Sequence, residues 1–324
     1  MTGADKMNKH TAIKPPASLL ERANEIYNFG AELRRPSQDV PKRSPVSEPQ
    51  PVAEEAPEHK PAAAPVEPVE PATVVPQAAA KVRAQINRAA LRAANYIDPD
   101  GPVTGLSEEF RIVKRQLLLA ARGGKGLEAI EHGERILICS ANPNEGKTFC
   151  AVNLALSMAT EKDNRVLLVD ADFAKPSVLA RLGIEGGRGL MDALANPDIY
   201  VEDLVIETDI AGLSVLPAGA QTNQDTEYLA AARSAAVLDA LTRHDPSRII
   251  IFDSPPALAA SPASVLALHV GQAVMVVHAD VTTDSALRDA LSLLSGCEHI
   301  QLLLNRTKFS PTGRKFGNYY GYGA

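Results

Sequence analysis

An α/β fold, with a doubly wound and mostly parallel sheet carrying helices on both faces, is predicted by three apolar runs that each end in a polar signature. The run Ile136 to Cys139 leads through the loop Ala141 to Thr148 (ANPNEGKT) into the amphipathic stretch Phe149 to Met158. The run Arg165 to Val169 ends in Asp170-Ala171-Asp172, and the run Arg248 to Phe252 ends in Asp253-Ser254-Pro255-Pro256. Continuous apolar runs are expected of parallel strands buried on both faces, and open α/β sheets bind ligands at the carboxyl ends of such strands. A strand, a Gly-Lys-Thr loop and a helix, followed by acids at two further strand ends, is the order of a P-loop nucleotide-binding fold.

By composition the 324 residues divide into four parts. In residues 1–35, Ser18 to Glu21 has capping-box spacing, and Leu19, Leu20, Ala23, Ile26 and Tyr27 form the apolar stripe of a short helix. Residues 36–80 are expected to be a disordered linker, because 11 of the 24 prolines fall between Pro36 and Pro76 among Ala, Glu and Val. Residues 81–305 are the nucleotide-binding domain. There, helical periodicity runs from Lys81 to Asn95 and from Ser107 to Leu119, and the second stretch places Glu108, Arg111 and Lys114 on one face. A buried helix is expected around Ala263 to His269, a strand at Gln272 to Val277 and a last strand at His299 to Leu304. Residues 306–324 lack apolar periodicity and read as a solvated tail, in which Tyr319, Tyr320 and Tyr322 are three of the chain's seven tyrosines.

The segment Asn142, Pro143, Asn144, Glu145, Gly146, Lys147, Thr148 and Phe149 is assigned to a nucleoside triphosphate. Its main-chain N–H groups and the helix N-terminus face phosphate oxygens, Lys147 places a cation on the β- and γ-phosphates, and the Thr148 hydroxyl ligates Mg²⁺. Ala141 replaces the usual first glycine, and Asn144 stands where many such loops use Gly. Asn tolerates positive φ better than most residues, so the turn survives. Asp170, Asp172 and Asp253 can hold Mg²⁺ directly or through water and orient an attacking group, although a lone Asp after a strand, as Asp172 is, also serves as a helix cap.

The net charge of −6 argues against general nucleic-acid binding. Cys139, Cys150 and Cys297 are odd in number and widely spaced, with no CxxC, so neither a disulfide framework nor a zinc site is indicated, and a reducing cytoplasm fits. Cys150 is either a thiol activated by the helix N-terminus or a small core residue. The first thirty residues contain no secretory apolar run, and the charge-free stretch Ser254 to Ala279 is broken by Pro255, Pro256 and Pro262, so it reads as a loop, helix and strand rather than a membrane span.

From about Leu106 to Ala324 the chain resembles the bacterial tyrosine autokinases of exopolysaccharide synthesis, in particular the separate cytoplasmic kinases found with exosortase-linked systems. The matching residues are Ser140 to Thr148 (Walker A), Leu167 to Pro176 (Walker A′), Ile249 to Pro256 (Walker B), Leu213 to Gly219, and Tyr319, Tyr320 and Tyr322. The resemblance implies ATP and Mg²⁺ as cofactors, metal held by Thr148 and Asp170 with Asp253 acting through water, and Lys147 stabilising the transferring phosphoryl group. Asp170 or Asp172 would take the tyrosyl proton, and the three tail tyrosines would be phosphoacceptors. It further implies a homo-oligomer joined through Glu108, Arg111 and Lys114, the last replacing the family's Arg, and Asn305 near the base. The implied partners are a transmembrane chain-length-determinant protein that recruits the chain from the cytoplasm to the inner face of the plasma membrane, and a phosphotyrosine phosphatase. The family's Arg two residues after the second Walker A′ acid is absent: Ala174 stands there, with Lys175 next. An alternative is a regulatory ATPase of the chromosome-partitioning and septum-site type, which usually carries a second Lys where this chain has Asn142 and lacks a tyrosine-rich tail.

Overall fold

The computed structural model describes residues 83–124 and 126–308. The N-terminal helix, the Pro-rich linker and the tail tyrosines expected from the sequence lie outside the described residues.

Seven strands form one sheet in the order β3-β4-β2-β5-β1-β6-β7. They are β1 (Arg135–Ser140), β2 (Arg165–Asp170), β3 (Ile206–Glu207), β4 (Leu213–Leu216), β5 (Arg248–Asp253), β6 (Gln272–His278) and β7 (Ile300–Asn305). All pairings are parallel except that of the short edge strand β3 with β4. The unbroken apolar runs acquire their meaning here, because alternate residues of each strand enter different cores. Leu137, Leu167, Val169, Ile250, Phe252 and Met275 pack on one face. Ile136, Ile138, Val166, Leu168, Ile249, Ile251 and Val274 pack on the other. A strand exposed on one face would alternate apolar with polar; burial on both removes the polar set. Each such side chain contributes about 1.5–3 kcal/mol relative to exposure, which holds the strand ends that carry the acids.

The helix Lys147–Ala159 returns along the sheet after β1 and is buried from Cys150 through Ala159. The helix Gly105–Arg122 packs against it, started by Thr104, whose side chain accepts from Ser107 N while Ser107 reciprocates. The helix expected from Lys81 to Asn95 is shorter, spanning only Arg88–Ala93. Tertiary pairing overrides local propensity upstream: Ala84 N donates to Glu207 O (2.8 Å), Asp209 N to Ala84 O (2.9 Å) and Ile86 N to Asp209 Oδ1 (3.0 Å). Asn87 then caps the helix by accepting from Ala90 N (3.0 Å). The charge-free stretch is a loop, the helix Pro262–Leu266 and strand β6, and among the described residues no helix is long and apolar enough to cross a membrane.

Candidate nucleotide and phosphotransfer site

The loop after β1 is braced from within. Asn144 has φ 65° and Gly146 φ 100°, the two left-handed positions the turn needs. The Glu145 carboxylate is buried and accepts from Asn142 N (3.0 Å), Asn142 Nδ2 (3.2 Å) and the Thr282 hydroxyl (2.6 Å). Glu145 therefore contributes its side chain to the loop's interior rather than to a ligand. Asn305, at the end of β7, donates from Nδ2 to Glu145 O (2.9 Å) and lies so close to Gly146 that a Cβ there would meet its amide at 2.1 Å. The helix begins at Lys147 with no side-chain cap, and among the described residues nothing accepts from the main-chain N–H groups of Gly146, Lys147, Thr148 or Phe149. An uncapped N-terminus with its donors free, opening a helix otherwise fully packed, is an anion receptor.

The acids stand at the adjoining strand ends. Asp170 and Asp253 are register partners across β2 and β5. Asp170 is already engaged: Oδ2 accepts from Ser177 N (2.8 Å) and Val178 N (2.9 Å), and Oδ1 from Asp172 N (3.3 Å). Burial raises its pKa and those three N–H groups oppose the rise. Asp172 pairs with Lys147 (Nζ to Oδ2, 2.8 Å) and accepts from Lys175 N through Oδ1 (3.2 Å).

Asp253 differs from both: it is fully buried and neither oxygen has a hydrogen-bond partner. Burial pushes its pKa up to about 7 against the attraction of Lys147 and the nearby Thr148 hydroxyl, and the charges of Asp170 and Asp172 push the same way as burial. The hydroxyl eases the carboxylate without making a well-formed bond to it. A buried carboxylate with both oxygens unspent, beside a hydroxyl and a second acid, fits a hard divalent cation. No cluster of three or more His, Cys, Asp or Glu able to hold a metal occurs among the described residues. Mg²⁺ does not require such a cluster, because it binds through one or two carboxylates, waters and substrate phosphates.

The strand ends thus bring Lys147, Thr148, Asp170, Asp172 and Asp253 together as expected. Lys114 departs from the expected shared face. Residues 108 and 114 lie a third of a turn apart around a helix, and Lys114 points inward, buried, to Ser157 O (2.8 Å), Thr160 Oγ1 (3.1 Å) and Glu161 (2.7 Å). It serves the carboxyl end of the P-loop helix, where a cation is favoured. Glu108 and Arg111 pair with each other on the helix surface. Cys150 is a buried core thiol, its pKa pushed up to about 12 by desolvation, so activation by the helix terminus does not occur. Lys175 is exposed.

Sequence reasoning passed over Tyr96, whose ring lies against Phe149 (centroids 5.3 Å apart, 36° between planes), and Asn153, which bonds both Ile97 and Phe149. The one available signal was a lone Asn between Val152 and Leu154 in an apolar helix.

Comparison with known proteins adds a family to this geometry. Residues 134–307 match the family described as an AAA domain. The chain is 28% identical over 238 residues to tyrosine-protein kinase YwqD of Bacillus subtilis, covering 72% of this chain and 94% of that protein. It is 29% identical over 190 residues to tyrosine-protein kinase Wzc of Salmonella typhimurium, covering 58% of this chain but 26% of Wzc. Among solved structures, the kinase domain of Escherichia coli tyrosine kinase ETK superposes with a TM-score of 0.56 at 25% identity, over 67% of this chain and 82% of that domain.

Proposed function

The chain belongs to the AAA-domain family, and from that membership, its tyrosine-kinase relatives and the geometry of the site we propose that it is an ATP-dependent protein-tyrosine kinase acting on its own tail, at Tyr319, Tyr320 and Tyr322. The observation that carries the reading is the convergence of an uncapped helix N-terminus, the Lys147–Asp172 pair and the unpartnered Asp253 at neighbouring strand ends. The N–H groups of Gly146 to Phe149 bind phosphate oxygens, and Lys147 turns from Asp172 toward the β- and γ-phosphates. Thr148, Asp170 and Asp253, the last with both oxygens unpartnered, would hold Mg²⁺, which would supply charge neutralisation at the transferring phosphoryl group. Asp172, released by Lys147, accepts the tyrosyl proton. Such catalysis is mostly positioning and electrostatics, and it needs no covalent intermediate.

The tail from Asn305 to Tyr320 spans at most about 50 Å when extended, so it reaches a neighbouring copy of the chain. Glu108 and Arg111, paired with each other on the helix Gly105–Arg122, are the residues through which a second copy would dock. A role in exopolysaccharide synthesis, with a membrane activator and a phosphatase as partners, is the part of this reading that the likeness to tyrosine-protein kinases supports. Phosphorylated tails would repel Asp170, Asp172 and Asp253 and loosen the assembly.

The test mixes a Lys147→Met chain carrying the intact tail with an active chain whose three tail tyrosines are Phe, and follows phosphotyrosine and particle size together. Transfer to the inactive chain, accompanied by dissociation, is the expected outcome. Co-assembly without transfer, in the presence of a wild-type control that phosphorylates, removes transfer between subunits.

A further inference from the structure

We propose that Asn153 is a positioning residue for the nucleotide site, acting through the segment that ends at Tyr96 and Ile97. The inference rests on the reading of the loop as a nucleotide cradle and concerns what holds that cradle in place. Asn153 lies in the second turn of the helix Lys147–Ala159 with 0% of its surface exposed. Asn is a poor helix former, and an unpaired buried amide costs about 1–3 kcal/mol, so packing alone would favour an aliphatic residue there. Both halves of the amide are engaged. Oδ1 accepts from Ile97 N (2.8 Å) and Nδ2 donates to Phe149 O (2.9 Å). One residue earlier in the segment, the Tyr96 ring lies against Phe149.

Two consecutive residues therefore grip the helix at Phe149 and Asn153, one turn apart and directly after Lys147 and Thr148. The segment has a firm base of its own. Ala84 pairs with the backbone at Glu207 and Asp209, and Arg88 Nη1 meets both Asp209 oxygens at 3.0 Å. Anchored at the β3–β4 edge and closed on the first helical turn, the segment fixes how far the helix can rotate or slide beneath the loop. The Lys147 ammonium and the Thr148 hydroxyl move with that turn, and a misplacement of about 1 Å is enough to cost on the order of 100-fold in a positioned site.

The experiment uses the full chain with Asn153→Leu, Tyr96→Leu and Tyr96→Phe, and reads Mg-ADP affinity together with residue-resolved maleimide labelling of the three cysteines. Cys150 is the reporter, since it lies buried in the gripped turn, while Cys139 and Cys297 are buried elsewhere. Asn153→Leu and Tyr96→Leu are expected to weaken Mg-ADP by about tenfold and to speed labelling of Cys150 by a similar factor, leaving Cys139 and Cys297 slow; Tyr96→Phe, which keeps the ring, should match wild type. Labelling that rises equally at all three cysteines, with unchanged affinity in the folded fraction, reports general destabilisation and overturns the proposal. So do folded variants identical to wild type in both readouts. If Asn153→Leu does not fold, the two Tyr96 variants decide. A wild-type chain that fails to bind Mg-ADP sinks the nucleotide reading instead, which separates the two failures.

Discussion

Lys147→Met is expected to abolish ATP-dependent phosphotyrosine while leaving a folded chain. Lys147 opens the helix at the loop, and its ammonium sits 2.8 Å from Asp172. Removing one preorganised charge from a phosphoryl-transfer site costs roughly 3–4 kcal/mol of transition-state stabilisation, a loss of about 100- to 1,000-fold. Methionine retains most of the apolar stem, so the packing of the first turn persists. Asp172 loses its partner and should become slightly more exposed, with a stability change small beside the loss of activity. Phosphotyrosine per chain, measured beside thermal unfolding of the same preparation, checks both halves. A folded variant with undiminished phosphotyrosine contradicts the assignment of this site.

Asp253→Asn should separate stability from function in the opposite sense. In the nucleotide-free chain Asp253 is buried without a partner, with its pKa raised from 3.8 to about 7. The unfolded chain releases this proton near pH 3.8 and the folded chain only near pH 7. The group's contribution to stability is therefore fully present below pH 3.8, is lost progressively as the pH rises between those values, and is absent above about pH 7. Between pH 5 and pH 8 the wild-type chain should lose about 2–3 kcal/mol that the Asn variant keeps. The new amide's unpartnered N–H groups impose a penalty of about 1–3 kcal/mol that does not vary with pH, so the slope rather than the absolute stability is diagnostic. Urea unfolding without Mg²⁺ or nucleotide, at the two pH values, reads it directly. Parallel pH profiles for wild type and variant would mean that Asp253 is not held as an uncompensated buried acid. With ATP present the variant should lose Mg²⁺-dependent phosphotyrosine, because Asn brings no charge to the cation.

The fold was legible because its strands carry their topology in their composition. Runs such as Arg248 to Phe252 are apolar at every position only when both faces are covered, and the structure covers both. The loop was legible for a related reason: Asn144 and Gly146 stand at the two positions that require positive φ. What escaped the sequence are contacts that close over long separations. Lys114 reads as a surface charge by spacing, yet it reaches the end of a helix more than forty residues later. The segment Ala84 to Asn87 reads as helix, yet main-chain pairing with the β3–β4 edge, more than a hundred residues away, makes it extended. Glu145 sits in the nucleotide loop by position, but Thr282 and Asn142 turn its carboxylate inward. In each case a partner far along the chain outweighed the local pattern, and no periodicity encodes that partner.

The central claim is tested most directly by incubating the purified full chain with Mg-ATP and mapping phosphate by mass spectrometry. The account predicts phosphotyrosine at Tyr319, Tyr320 and Tyr322, absent when Mg²⁺ is chelated and absent in Lys147→Met. ATP hydrolysis with no phosphotyrosine anywhere on the chain would contradict it and leave a nucleotide-driven switch of the partitioning type.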